Sequence, residues 1–167
     1  MKRTIRFSAV ALAILAVAAS HPIDKSDRKT LEKLGQGGVS EVLMAKHIES
    51  KIQNEAVKDF AQRMIKDHGK AGADLEKIAD AKGVKIPMSL DKEHKDFEAK
   101  LAKEPLGATY DRTYIAQMVK DHEQDSKDFE QAQKSVKDPE LKAWVDTNLP
   151  VIKEHLAMAR DIHAKLK

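Results

Sequence analysis

The sequence predicts an all-α protein, a four-helix bundle with a long crossover between its second and third helices. Three observations carry this. Apolar residues recur at intervals of three and four over most of the chain, and strand-type alternation is nowhere sustained. The periodic stretches are separated by two short links and one long one. Residues able to start or stop a helix stand at the breaks. Short links imply antiparallel hairpins, and a connection as long as residues 83 to 107 can run the length of a bundle. Two hairpins joined by one such crossover make the ferritin-like variant of the four-helix bundle.

Residues 1–20 stand outside this pattern. MKRTIRFSAVALAILAVAAS has a basic start in Lys2, Arg3 and Arg6, an apolar stretch from Ser8 to Ala19, and small residues suited to cleavage after Ala19 or Ser20. That is the form of a secretory signal peptide. It leaves residues 21–167 as a single domain and directs it to the periplasm or cell envelope. No later stretch approaches the roughly 20 apolar residues of a transmembrane helix.

The first helix is expected from about Ser26 to Ile52, with Leu31, Leu34, Val42, Ala45, Ile48 and Ile52 facing inward. Gly35, Gly37 and Gly38 interrupt it. At about 1 kcal/mol each against Ala, they either break the helix or permit a close backbone approach. The second helix spans about Asn54 to Lys82, capped by Asn54 and stopped by Gly83. Its stripe is Val57, Phe60, Ala61, Met64, His68, Leu75 and Ile78. The crossover carries Pro87, Pro105 and a short helix near Leu90 to Lys103. The third long helix covers about Thr109 to Val136, with Tyr114, Ile115, Met118, His122, Phe129 and Ala132 on one side. The fourth starts at Asp138-Pro139, a cap followed by proline at the first helical position. Leu141, Val145, Ile152, Leu156, Ala159 and Leu166 point inward, and Pro150 is expected to kink the helix locally, since it removes one backbone hydrogen bond.

Composition narrows the function. The whole chain has 30 Lys+Arg against 27 Asp+Glu. Without Lys2, Arg3 and Arg6 the balance is 27 against 27, so the formal charge falls from +3 to 0. A neutral chain with interspersed charges has no electrostatic footprint for nucleic acid or an anionic membrane. The absence of cysteine excludes disulfides, thiolate ligands and covalent haem attachment. Any metal must be held by N and O atoms.

Residues 64–76, MIKDHGKAGADLE, align without gaps on residues 118–130, MVKDHEQDSKDFE. Both copies put Met, His and a large apolar residue on one helix face, so His68 and His122 point where the core points. Asp67 and Asp121 fall about 100° around their helices and read as flanking residues. Glu41, between Leu34, Ala45 and Ile48, and His155, beside Ile152 and Ala159, are also inward. Counted from the helix ends at about 1.5 Å per residue, all four lie roughly 17 to 25 Å from a bundle end. They can meet at mid-height. An ionised Glu and three imidazoles buried without partners would each forfeit kilocalories of hydration. One divalent ion satisfies them all, and this donor set suits zinc, copper, iron or nickel over calcium or magnesium. His47, His94 and His163 read as solvated, and Tyr114 as a buried tyrosine satisfied by a hydrogen bond.

The leader, Gly37-Gly38 followed by Glu41, Phe60-Ala61, Met64 with Asp67-His68, Tyr110-Asp111 with Tyr114, His122, and Leu149-Pro150 with His155 together resemble the exported bacterial family called domain of unknown function 4142 (DUF4142). The resemblance spans the mature chain and implies a ferritin-like fold and a periplasmic or outer-membrane-associated location. It implies no activity. Ferritin-like proteins with two irons use Glu-x-x-His pairs, whereas Ile65, Val119 and Ile152 stand three residues before His68, His122 and His155. Di-iron chemistry is disfavoured, and no other enzyme signature is present. The leading expectation is an exported metal-binding protein with a mononuclear site of Glu41, His68, His122 and His155, serving metal handling or envelope stress. The alternatives are a non-catalytic structural or interaction module with a buried polar network and no metal, and a non-covalent haem protein.

Overall fold

Asp24 accepts a hydrogen bond from the Asp27 amide at 2.8 Å and opens the first helix, in a computed structural model that describes residues 22–166. The expected leader, residues 1–20, lies outside the described residues. Among those described, the chain forms five α-helices, one short 3-10 turn and no strand. They are α1 (Lys25–Ile48), α2 (Glu55–Ala81), α3 (Lys92–Leu101), α4 (Ala108–Ser135) and α5 (Pro139–Lys165). The turn, Glu49–Lys51, follows α1. Among the described residues no helix is long and apolar enough to cross a membrane.

Local chemistry accounts for the boundaries. Asn54, Asp91 and Asp138 each accept hydrogen bonds from backbone amides in the first turns of α2, α3 and α5, satisfying donors a helix start leaves open. Gly83 at φ +63° and Gly107 at φ +113° stand just after α2 and just before α4, in backbone conformations side chains rarely adopt. The glycines do not break α1, which is continuous to Ile48. Gly35 serves close approach: a Cβ there would meet Cδ1 of Ile86 at 2.8 Å. α5 runs unbroken through Pro150.

α1 packs along α2, α4 along α5, and α2 against α5; the short α3 lies against α1 and α4. Two buried carboxylates tie the link regions to the helices. Asp111 on α4 accepts from the amides of Gln53 and Asn54, and Asp27 on α1 accepts from those of Lys137 and Asp138.

The apolar interior is divided in two. One cluster holds Met44 and Ile48 of α1, Phe60 and Met64 of α2, Tyr114 and Met118 of α4, and Ala159 of α5. The other holds Leu31 and Leu34, Leu75 and Ala79, Phe129 and Ala132, and Leu149 and Ile152 of the same four helices. On every long helix the boundary between them falls at one polar residue: Glu41, His68, His122 or His155. All four are buried. Burying over a dozen large apolar side chains above and below, at about 1.5–3 kcal/mol each, can offset the cost of this polar layer.

Candidate functional site

The three imidazoles form a near-equilateral triangle. Ring centroids are 5.5 Å apart for His68 and His122, 5.2 Å for His68 and His155, and 5.5 Å for His122 and His155. One ligand nitrogen from each lies within 4.8 Å of the other two. Nε2 of His68 and Nδ1 of His155 are 3.2 Å apart. Nitrogens held about 2.1 Å from one zinc-like ion at a tetrahedral angle lie about 3.4 Å apart, with ring centroids about 5.3 Å apart. The three ring separations and the His68–His155 nitrogen distance are close to those dimensions.

Hydrogen bonds decide which nitrogen of each ring is free. The His122 Nδ1 lies 2.9 Å from the carbonyl of Met118. A carbonyl has no proton to give, so Nδ1–H donates and Nε2 carries the lone pair. That Nε2 is buried and has no hydrogen-bond partner among the described residues. The His155 Nε2 donates to Asp67 at 3.1 Å, leaving its Nδ1 facing His68. Asp67 is steadied in turn by Arg63 at 3.1 Å, which also holds Glu154. Glu41 stands beside two of the rings, 3.0 Å from Nδ1 of His68 and 3.4 Å from Nδ1 of His122. Neither contact is aligned as a hydrogen bond, so both carboxylate oxygens are close to rings yet without a directed donor. Gly38 of α1 lies against the same His68 ring, where a Cβ would make an ordinary van der Waals contact with the His68 Nδ1 at 3.8 Å.

Burial works against the Glu41 charge, but the His68 and His122 rings overcome it and hold its carboxyl well below the usual range. Burial opposes protonation of His68 as well, and Glu41 reverses that, leaving His68 raised. Burial depresses His122 despite Glu41, and burial together with His68 pushes His155 down to about 4. Two rings are thus kept neutral, the form that ligates metal. A cavity of about 30 Å³ reaches His68 and His155 between α1, α2 and α5. By volume it admits an ion or a water; it is far too small for haem.

The structure therefore brings His68, His122 and His155 together with Glu41 in contact with two of them. A second group also converges: Glu41, His122 and Asp125 offer ligand atoms within 4.8 Å of one another. Burial, reinforced by Glu41, raises Asp125 well above the usual carboxylate range and Asp121 to about 7. Asp67, expected as a flanking residue, supports His155 from outside the triangle, and Asp125 is the member sequence reasoning passed over, its place in the repeated segment beside His122 being the available signal. His47 and His163 are exposed as expected, with His47 paired to Glu98 at 2.8 Å. His94 corrects the sequence reading: it is buried, because His94, Phe97 and Leu101 form the inward stripe of α3. Tyr114 corrects another, since its buried hydroxyl has no hydrogen-bond partner.

The family described as domain of unknown function (DUF4142) matches residues 13–162. No curated protein matches the chain. A solved structure, described as the crystal structure of a DUF305 fragment from Deinococcus radiodurans, is similar with a TM-score of 0.75. The match covers 87% of this chain and 99% of that one, at 12% identity, a likeness of fold alone.

Proposed function

We propose that this chain, which belongs to the DUF4142 family, is an exported ferritin-like four-helix-bundle protein that binds one transition-metal ion between His68, His122 and His155. Glu41 is the carboxylate of the same site, and the role is metal handling or envelope stress rather than catalysis. The observation that carries this reading is the buried, unpartnered His122 Nε2 in a triangle of imidazoles with the spacing of a single ion's ligands. The surroundings support it. Each ring's other nitrogen faces a carbonyl or carboxylate, namely Met118, Asp67 or Glu41, the outer contacts that fix metal-bound imidazoles. Three imidazoles and a nearby carboxylate favour zinc, copper or iron.

Metal analysis of the purified mature protein tests the proposal. At least one equivalent of zinc, copper or iron per chain is expected, taken up again after chelation, and His122→Ala should bind one equivalent fewer. A protein that neither contains nor takes up such an ion refutes it.

One observation favours a second reading. Glu41, His68, His155 and Asp67 form a continuous chain of contacts of 3.0, 3.2 and 3.1 Å, which a protonated His68 completes without any metal. It predicts that a chelator changes nothing and that His68→Ala destabilises by breaking the network. The metal is preferred because this chain of contacts leaves His122 Nε2 unsatisfied.

A further inference from the structure

A second, outer group of polar atoms shares the peculiarity of the inner one. A cleft of about 580 Å³ lies between α1, α3 and α4, and its lining includes Glu41, His94, Asp121 and Asp125. His94 is held firmly. Asp91 caps α3 by accepting from the His94 amide at 2.8 Å, and both its oxygens lie 2.9 Å from the His94 Nδ1. Ser40 on α1 accepts from the Asp91 amide at 3.0 Å, fixing that capping residue against the body of the protein. The Nδ1 proton is committed to Asp91, so Nε2 presents its lone pair.

Facing it, 3.7 Å away, is Oδ2 of Asp121. The other oxygen, Oδ1, accepts from Gln117 at 2.8 Å. Both side chains are about nine-tenths buried, and neither His94 Nε2 nor Asp121 Oδ2 has a hydrogen-bond partner. Two lone-pair atoms thus confront each other in a buried place. Their separation is informative. It is too long for a direct hydrogen bond, which ends near 3.2 Å. It is too short for a bridging water, whose two partners at about 2.8 Å each would stand about 4.6 Å apart. An ion about 2.1 Å from both, with an angle near 120°, sets them about 3.6 Å apart, close to the 3.7 Å observed.

We propose that His94 Nε2 and Asp121 Oδ2 hold a divalent transition-metal cation at the floor of this cleft, a site separate from the three-histidine cluster. Asp91 orients the imidazole, as carboxylates do behind metal-bound histidines. Asp125 and Asp128 follow Asp121 one and two turns along α4, and of the three only Asp128 is paired with a lysine, Lys33 at 2.7 Å. Carboxylates outnumber the lysines Lys33, Lys120 and Lys127 in the lining of the cleft, so it attracts cations, and water or Asp125 completes the coordination. Glu41 belongs to both the cleft and the inner cluster, so the two sites share one carboxylate.

Zinc titration of the chelator-treated full chain, by calorimetry and by nitrogen NMR of the histidine rings, tests this. Two equivalents are expected in the wild type. His94→Gln and Asp121→Asn should each remove one equivalent or weaken it at least tenfold. His122→Ala should remove the other and leave the His94 response intact, so failure of the outer site and failure of the inner one give different results. The His94 Nε2 resonance of the unmodified protein should shift on zinc addition, a readout that needs no variant to fold. A His94 ring that ignores zinc, or an unchanged stoichiometry and affinity in Asp121→Asn, overturns the proposal.

Discussion

Replacing His122 with leucine separates stability from metal binding, because the two respond in opposite directions. His122 is fully buried, packs its edge toward Phe60 with centroids 6.0 Å apart, and has one satisfied nitrogen and one orphan. Leucine has similar bulk and no polar atoms. In the metal-free protein the substitution forfeits the Nδ1–Met118 hydrogen bond, about 1 kcal/mol, and removes an unsatisfied buried nitrogen that costs about 1–3 kcal/mol. The Met118 carbonyl keeps its place in the helix ladder. Metal-free His122→Leu should therefore be unchanged or up to about 2 kcal/mol more stable. Zinc at one hundred times its Kd should stabilise the parent by about 2.7 kcal/mol, a Tm rise of about 5–10 °C for a domain of this size. The variant should show none of that rise. Thermal melts with and without zinc, both run in an Asp121→Asn background so that only the inner site responds, make the comparison. An equal zinc shift in both proteins, or a metal-free variant destabilised by more than about 2 kcal/mol, would refute the reasoning, the latter because it would mean that Nε2 is satisfied.

Acid should destabilise the metal-free protein through His155. Its folded pKa of about 4 lies below the ordinary 6.5, so the unfolded chain binds the extra proton as pH falls from 6.5 towards 4. About 3 kcal/mol is lost across that window; Asp67, held below its ordinary 3.8, adds a loss in the same direction only below that pH, and His68, raised by Glu41, acts oppositely by losing its contribution as pH rises through its folded pKa. Urea melts from pH 7 to 4 measure the slope, which His155→Asn should flatten. Asp111→Ala should cost about 2–4 kcal/mol in urea melts, since it strands the buried amides of Gln53 and Asn54 that Asp111 accepts from; a cost below about 1 kcal/mol would show that water replaces the carboxylate.

The long helices were legible because period and caps agreed. Asn54, Gly83 and Asp138-Pro139 mark ends within a residue or two of where they fall. Which neighbouring residue faces inward was less so on α1: Val42 is half-buried while Met44 is fully buried, a small rotation that periodicity does not resolve. The glycines of α1 were ambiguous for a different reason. What occupies the space beside Gly35 is Ile86, 51 positions away in the crossover, and local sequence carries no trace of that packing. The residues of the polar layer were readable from helix register alone. The nitrogen each ring leaves free was not, because it depends on acceptors brought by other helices or by the turn before, such as Asp67 for His155 and the Met118 carbonyl for His122.

The duplicated Lys-Asp-His turn shows how one local sequence yields two different arrangements. In each copy the histidine enters the interior and the aspartate, about 100° around the helix, faces the neighbouring element. For α2 that neighbour is α5, whose His155 reaches inward, so Asp67 closes a 3.1 Å contact and becomes an outer support of the inner cluster. For α4 the neighbour is α3, whose His94 looks onto the cleft, so Asp121 meets it across 3.7 Å with both facing atoms unpaired. The inner pair is complete without an ion between aspartate and histidine, and the outer pair is not. Zinc should therefore perturb the His94–Asp121 pair directly, while Asp67 answers only through His155. Asp67→Asn, which keeps an acceptor for the His155 Nε2 proton, should leave the zinc stoichiometry unchanged where Asp121→Asn lowers it by one.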